Sequence, residues 1–206
     1  MHPESTMEVW SEAHARLLED PAFAPLVRHV GPPRLRPPRG APFESLAAAI
    51  VYQQLAGKAA RTIHGRFVEA LGGNATPEAV RRASDEALRG AGLSRSKLAA
   101  IRDLAARVES GDVALDELDG LSDGEVVARL TRVRGIGEWT AHMYLMFDLH
   151  RPDVWPIGDL GVRAGLARVL GLDETPPPSD AWLIGHGYRP WRSAVAWYCW
   201  RAVDTP

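Results

Sequence analysis

The chain has a single cysteine, Cys199, among 206 residues. One thiol cannot close an internal disulfide, and it cannot complete a four-cysteine zinc site or a four-cysteine iron–sulfur cluster. Long apolar runs are also missing. The best stretch, Leu46 to Leu55, falls short of the roughly 18 residues that span a bilayer and contains Gln53 and Gln54. The N-terminus has no basic segment followed by an apolar one, so nothing marks it for export and a cytoplasmic location is expected. None of the seven histidines stands in a His-x-x-x-His or His-Glu-x-x-His spacing, which leaves a zinc hydrolase without footing. No stretch alternates with period two and β-branched enrichment, so strands are not expected.

What is present is a globular composition, 46% hydrophobic and 24% charged, with the punctuation of a helical protein. Ser5 with Glu8 and Ser122 with Glu125 read as capping boxes. Asp20-Pro21, Thr76-Pro77 and Ser84 read as further helix starts. Phe43, Leu46, Ala47, Ile50 and Val51 form an apolar helical stripe ending near Gln54 to Gly57. Ala60, Ile63, His64, Phe67 and Leu71 repeat it before Gly72-Gly73, and Leu98 to Val108 carry a longer helix closed by Gly111. Further helices are expected from Trp139 to Leu149, from near Asp159, and from Pro190 through Arg201. The class is all-α, divided into residues 1–40 (N-terminal helices and a Pro/Gly/Arg connector packing with the C-terminal lobe), 41–125 (a central lobe) and 126–206 (a C-terminal lobe).

Net charge is −2, so the whole chain makes no argument for nucleic acid. The distribution is uneven. Val51 to Arg102 holds nine Lys/Arg against four Asp/Glu, whereas Glu109 to Glu125 holds seven acids and no base, which suggests one basic and one acidic face.

Gly135-Ile136-Gly137 joins two helices by a very short hairpin. Unpaired amides and the positive dipole end at the start of the Trp139 helix suit an anion such as a phosphate. A plain tight turn fits the same residues. No strand precedes the glycines and position 140 is Thr140, so this is not a dinucleotide fingerprint.

From Leu130 to Ala141 (Leu-Thr-Arg-Val-Arg-Gly-Ile-Gly-Glu-Trp-Thr-Ala), with Asp159 twenty residues after Trp139, the chain resembles the helix-hairpin-helix (HhH-GPD) DNA glycosylases, and most closely the DNA-3-methyladenine glycosylase II family. Phe43-Glu44-Ser45-Leu46 to Gln53-Gln54, Gly92 to Lys97, Asp153 to Gly161 and Pro190-Trp191-Arg192-Ser193 extend the likeness over most of the chain. Arg134 stands where that family often has proline. The resemblance implies a two-lobed helical fold with the active-site cleft between the lobes. It also implies a monofunctional enzyme that flips an alkylated purine (3-methyladenine or 7-methylguanine type) out of double-stranded DNA, hydrolyses its glycosidic bond and works as a monomer. Alternatives are a glycosylase for deaminated or etheno-purines, and a non-catalytic DNA-binding hairpin module.

By the same resemblance Asp159 is the catalytic carboxylate; read from its position alone it is a helix N-cap. Strand-cleaving relatives carry a lysine nucleophile where this chain has Trp139, so base loss without strand cleavage is implied. Trp139 and Trp200 would wall the base pocket, with Met143 one turn after Trp139, while Trp155, Trp191, Trp197, Phe43 and Tyr144 are expected in the core. Gln53, Gln54, Arg134, Gly135, Ile136, Gly137 and Thr140 would contact DNA, with Gln54 as the wedge that fills the gap of the flipped nucleotide. No cofactor is required and no iron–sulfur cluster is expected. The backbone carbonyls of Thr131, Val133 and Ile136 match positions that hold a monovalent cation in this superfamily.

Overall fold

The computed structural model describes residues 3–35 and 40–204, and among these there is no β-strand. Twelve α-helices follow one another: α1 (Pro3–Glu19), α2 (Ala24–Val30), α3 (Pro42–Tyr52), α4 (Gly57–Ala70), α5 (Pro77–Arg82), α6 (Asp85–Gly90), α7 (Arg95–Glu109), α8 (Asp123–Leu130), α9 (Glu138–Phe147), α10 (Leu160–Leu170), α11 (Pro178–Gly185) and α12 (Arg192–Asp204). Short 3-10 turns occupy Leu115–Gly120 and His186–Tyr188. The caps explain most of the starts. Thr76 and Ser84 accept the Ala79 and Ala87 amides at 3.1 Å, and Ser122 and Glu125 close a reciprocal capping box. Asp20 receives the amides of Ala22 and Phe23 and turns the chain into α2. At the N-terminus the expectation fails: α1 already begins at Pro3, so Ser5 lies inside the helix instead of capping it.

The chain divides into two compact units, Met1–Arg36 with Leu145–Pro206, and Pro37–Tyr144. The second change of unit does not fall at the expected 125/126. It falls inside α9, because the segment 126–144 packs with the middle of the chain. The Arg134 amide donates to Asp103 on α7 at 2.7 Å, and Arg129 donates to Glu117 at 2.7 Å. In this middle unit α3 supplies an almost entirely buried apolar helix (Phe43, Leu46, Ala47, Ile50, Val51) beside α4 and α7. Leu46, Ile50, Phe67, Leu88, Leu93, Ile101, Leu104, Leu118 and Leu130 are fully buried there, each stabilising the fold by about 1.5–3 kcal/mol through removal from water. Arg102 ties α5 and α6 to α7 by donating to the carbonyls of Val80 and Ala83 and to Asp85.

Part of the charge of the acidic stretch is met by arginines from outside it: Glu109 pairs with Arg81, Asp112 with Arg107 and Arg132, and Glu117 with Arg129.

The other unit is built on the contact of α10 with α12. A Cβ on Gly165 would lie 2.0 Å from the Cys199 carbonyl oxygen and 2.7 Å from its Cα, so the two helices meet backbone to backbone. Burial raises the pKa of the Cys199 thiol far above its ordinary value. Around this contact α1 and α2 dock on α12: the Tyr198 hydroxyl donates to the Gly31 carbonyl at 2.9 Å and lies 2.7 Å from His14 Nδ1. Trp10 Nε1 donates to the His150 carbonyl at 3.3 Å.

The backbone contact sets a sharp expectation for glycine replacement. Gly165→Ala should destabilise the protein by about 3 kcal/mol, since the clash is with main chain that cannot rotate away. Gly65→Ala, in α4 with nothing within 4 Å of its added Cβ, should stabilise it by about 0.5–1 kcal/mol. Urea denaturation midpoints of the two variants check this, and equal midpoints would contradict the backbone contact.

Candidate active site

Asp159 caps α10. Its backbone is extended (φ −78°, ψ 119°) and its Oδ1 accepts the Val162 amide at 2.9 Å. The same Oδ1 accepts the indole N–H of Trp200 on α12 at 3.1 Å. Asp159 is partly exposed and sits beside Leu160, which is 65% exposed. The carboxylate therefore lies at the surface of its unit, at the positive end of the α10 dipole.

The loop that delivers it is pinned on both sides. Arg192, buried at the start of α12, forks onto Asp153 with Nε–Oδ1 at 2.6 Å and Nη2–Oδ2 at 2.8 Å. The Ser193 hydroxyl donates to the Arg151 carbonyl at 2.6 Å and accepts the Val154 amide at 2.9 Å. Trp155 is buried, donates its indole N–H to the Ala181 carbonyl, and fills the space a side chain on Gly185 would take. Trp200 also neighbours Phe147, with ring centroids 6.0 Å apart. The structure thus brings Asp159 and Trp200 together, with Trp200 as a hydrogen-bond donor to the carboxylate.

In the middle unit the hairpin is a turn with an apolar centre. Val133 and Ile136 are buried, Gly135 and Gly137 are exposed, and the Ile136 amide closes the turn on the Val133 carbonyl at 3.1 Å. Gly135 has φ 78°, which a side chain rarely adopts, and a Cβ there would come within 3.0 Å of Ala100 on α7. Gly137 accepts the Ala141 amide, so it starts α9, whose first amides have no intrahelical acceptors. Trp139 follows at 49% exposure, and Met143 lies one turn on, partly exposed.

Two struts hold this turn. Gln53 Nε2 donates to the Gly135 carbonyl at 3.0 Å and contacts Thr140 Oγ1 at 3.2 Å, so the side chains of Gln53 and Thr140 are engaged within the fold. Asp103 accepts both the Arg134 amide (2.7 Å) and Arg107 Nε (2.9 Å). A proline at 134 could not make the first of these bonds. Burial pushes the Asp103 carboxyl up, but these donors and the charge of Arg107 outweigh it and hold the group below its usual range. The Ile136 side chain is turned into the fold, whereas Arg134 is exposed.

Gln54 is exposed at the tip of the α3–α4 loop with φ 55°, an uncommon backbone for a non-glycine residue. Lys97 shapes this loop by donating to the Val51 and Gln53 carbonyls at 2.7 and 2.8 Å, and desolvation lowers its pKa. Lys97, Asp103, Asp153 and Arg192 were not foreseen as part of the site's scaffold. Of these, only the Asp103–Arg107 spacing of four on one helix carried a local signal. Of the aromatics expected in the core, Trp155, Phe43 and Tyr144 are buried, while Trp191 and Trp197 are only partly so. Among the described residues no group of three or more His, Cys, Asp or Glu could hold a metal ion.

A family model of HhH-GPD superfamily base excision DNA repair proteins matches residues 47–182. DNA-3-methyladenine glycosylase 1 of Schizosaccharomyces pombe is 36% identical over 165 residues, which cover 78% of this chain and 72% of that protein. The solved structure of the 3-methyladenine DNA glycosylase of that yeast in complex with abasic DNA superposes with a TM-score of 0.82 at 34% identity, covering 92% of this chain and 95% of the other. A DNA-3-methyladenine glycosidase from Bacillus halodurans gives a TM-score of 0.83 at 36% identity over 94% and 89% of the two chains.

The hairpin clamp yields a pH-dependent prediction. Because Asp103 is held below its unfolded value, its contribution is complete above the ordinary carboxylate range and is lost as the pH falls through its folded value. Asp103→Asn should therefore be about 1–2 kcal/mol less stable than wild type at pH 7, with the gap closing below about pH 4. Denaturation at pH 7 and pH 3 tests it. An equal gap at both would remove the charged clamp from the account.

Proposed function

Because the chain belongs to the HhH-GPD superfamily of base excision DNA repair proteins, we propose that it is a monofunctional DNA glycosylase that hydrolyses the N-glycosidic bond of alkylated purines of the 3-methyladenine and 7-methylguanine type. The observation that carries the reading is Asp159, a partly exposed carboxylate at a helix N-terminus on a loop fixed by buried polar contacts. As the C1′–N9 bond lengthens, its electron pair moves into the methylated base and cancels that ring's positive charge, while positive charge builds on the deoxyribose. The Asp159 carboxylate stabilises that charge and takes the proton of the water that adds to C1′. A base that departs as a neutral molecule has little need of a general acid. The product is an abasic site in an intact strand, since Trp139 offers no amine for a Schiff base.

Double-stranded DNA with a damaged base is the partner. The exposed glycines of the hairpin and the first amides of α9 suit a backbone phosphate, and the exposed guanidinium of Arg134 adds a cation beside them. Trp139, half exposed, presents an indole face to a cationic base, an attraction of about 0.5–2 kcal/mol. Gln54, at an exposed and strained loop tip, is the wedge for the extruded nucleotide's place in the stack, where extrusion costs a few kcal/mol. One duplex needs one hairpin, so the protein acts as a monomer, in the compartment that holds the DNA.

The carbonyls of Thr131, Val133 and Ile136 would hold a monovalent cation. An uncharged set of oxygens suits one, and the Val133 oxygen keeps a second lone pair beyond its bond to the Ile136 amide. When bound, the cation would supply positive charge beside a phosphate. No other cofactor is required.

Purified protein should release free 3-methyladenine and 7-methylguanine from methylated duplex DNA, with strand breakage only after alkali. Breakage without alkali, or no base release, would overturn the reading. Asp159→Asn keeps the cap oxygen but not the charge, so it should lower base release at least about 100-fold while DNA binding is retained. Binding to undamaged duplex should weaken steeply with salt as counterions are exchanged at phosphates.

A further inference from the structure

We infer that Trp200 is a positioning residue for the carboxylate of Asp159, acting through its indole N–H. This rests on the glycosylase reading for its kinetic consequence, but the contact itself stands on geometry. Oδ1 of Asp159 receives two donors, the Val162 amide at 2.9 Å and Trp200 Nε1 at 3.1 Å. The amide fixes the carboxylate to its own helix and the indole fixes it to α12. The approach of the indole is specifically allowed by the sequence. A Cβ on Gly161 would stand 3.1 Å from both Asp159 Oδ1 and Trp200 Cδ1, and a Cβ on Gly165, one turn later, would strike the Cys199 main chain. Two glycines four residues apart thus clear one face of α10 for α12, and Trp200, next to Cys199, is carried to the cap. Phe147 neighbours the ring on the same unit and limits its rotation.

A residue that only stacked on a flipped base would need no such path for its ring nitrogen. With the carboxylate held from two directions, its remaining freedom is small, and orientation of a charged group at the reacting sugar counts directly in the rate.

Trp200→Phe keeps the ring and removes the donor. Under single-turnover conditions with saturating enzyme, it should slow base release by about 10-fold or more while leaving affinity for the damaged duplex within about twofold, the scale of one hydrogen bond to a charged group. A pocket wall alone would give the opposite split, with weaker binding and a preserved rate. The second measurement is independent of activity: in 15N-labelled protein the Trp200 indole N–H, identified by its loss in Trp200→Phe, should exchange slowly with solvent. It should lose that protection in Asp159→Ser, where a hydroxyl still caps α10 but is too short to reach the indole. A Trp200→Phe rate within twofold of wild type, or an indole proton equally protected in Asp159→Ser, overturns the inference. Failure of wild-type protein to release base overturns the glycosylase reading instead, and the exchange measurement then decides the inference by itself.

Discussion

The bare backbone contact between Gly165 and Cys199 is the constraint on which the unit carrying Asp159 depends. Two helices can come this close only where one of them presents no side chain, and that proximity places an indole from α12 over the first turn of α10. The Asp159 cap, the Trp200 hydrogen bond and the docking of α1 and α2 on α12 all inherit their geometry from it. The pinned loop between Arg151 and Asp159 adds the other half. Its Arg192–Asp153 pair is held by a bidentate fork, with the Arg192 end buried.

The hairpin unit solves a different problem. Its turn is braced from within while Gly135 and Gly137 stay exposed. Stiffness here comes from burying Val133 and Ile136 and from polar struts reaching in from α7 and from the end of α3, not from a proline at position 134. An arginine there retains an amide for Asp103 and adds a cation at the surface. Lys97 works in the same way on the neighbouring loop, where one ammonium gathers two carbonyls left over at the end of α3.

How much of this was legible follows from how local each feature is. The caps at Thr76, Ser84, Ser122 and Asp159 were readable because the bond each makes lies three residues away. The hairpin and its aspartate were readable through a family likeness that the comparisons support. The boundary near residue 126 was misplaced because the bond joining Arg134 to Asp103 spans 31 positions and leaves no mark in the local pattern. The helix α11 was not anticipated, since the prolines at 176 to 178 look like a connector although Pro178 opens the helix. The Trp200 bond to Asp159 was not legible, because a sequence shows that an indole is present and not where its nitrogen points. Gln53 and Thr140, expected to contact DNA, are also hydrogen-bonded to each other, a pairing 87 positions apart that leaves no local mark.

The single thiol of the chain lies beneath the α10–α12 contact, fully buried, and its surroundings keep it as the neutral thiol. Electrophiles that methylate purines also attack thiolates. A catalyst meant to work while such reagents are abundant is better off if its thiol is out of their reach, and the same close approach that carries Trp200 to the Asp159 cap also shields that sulfur from the chemistry whose damage the protein would remove.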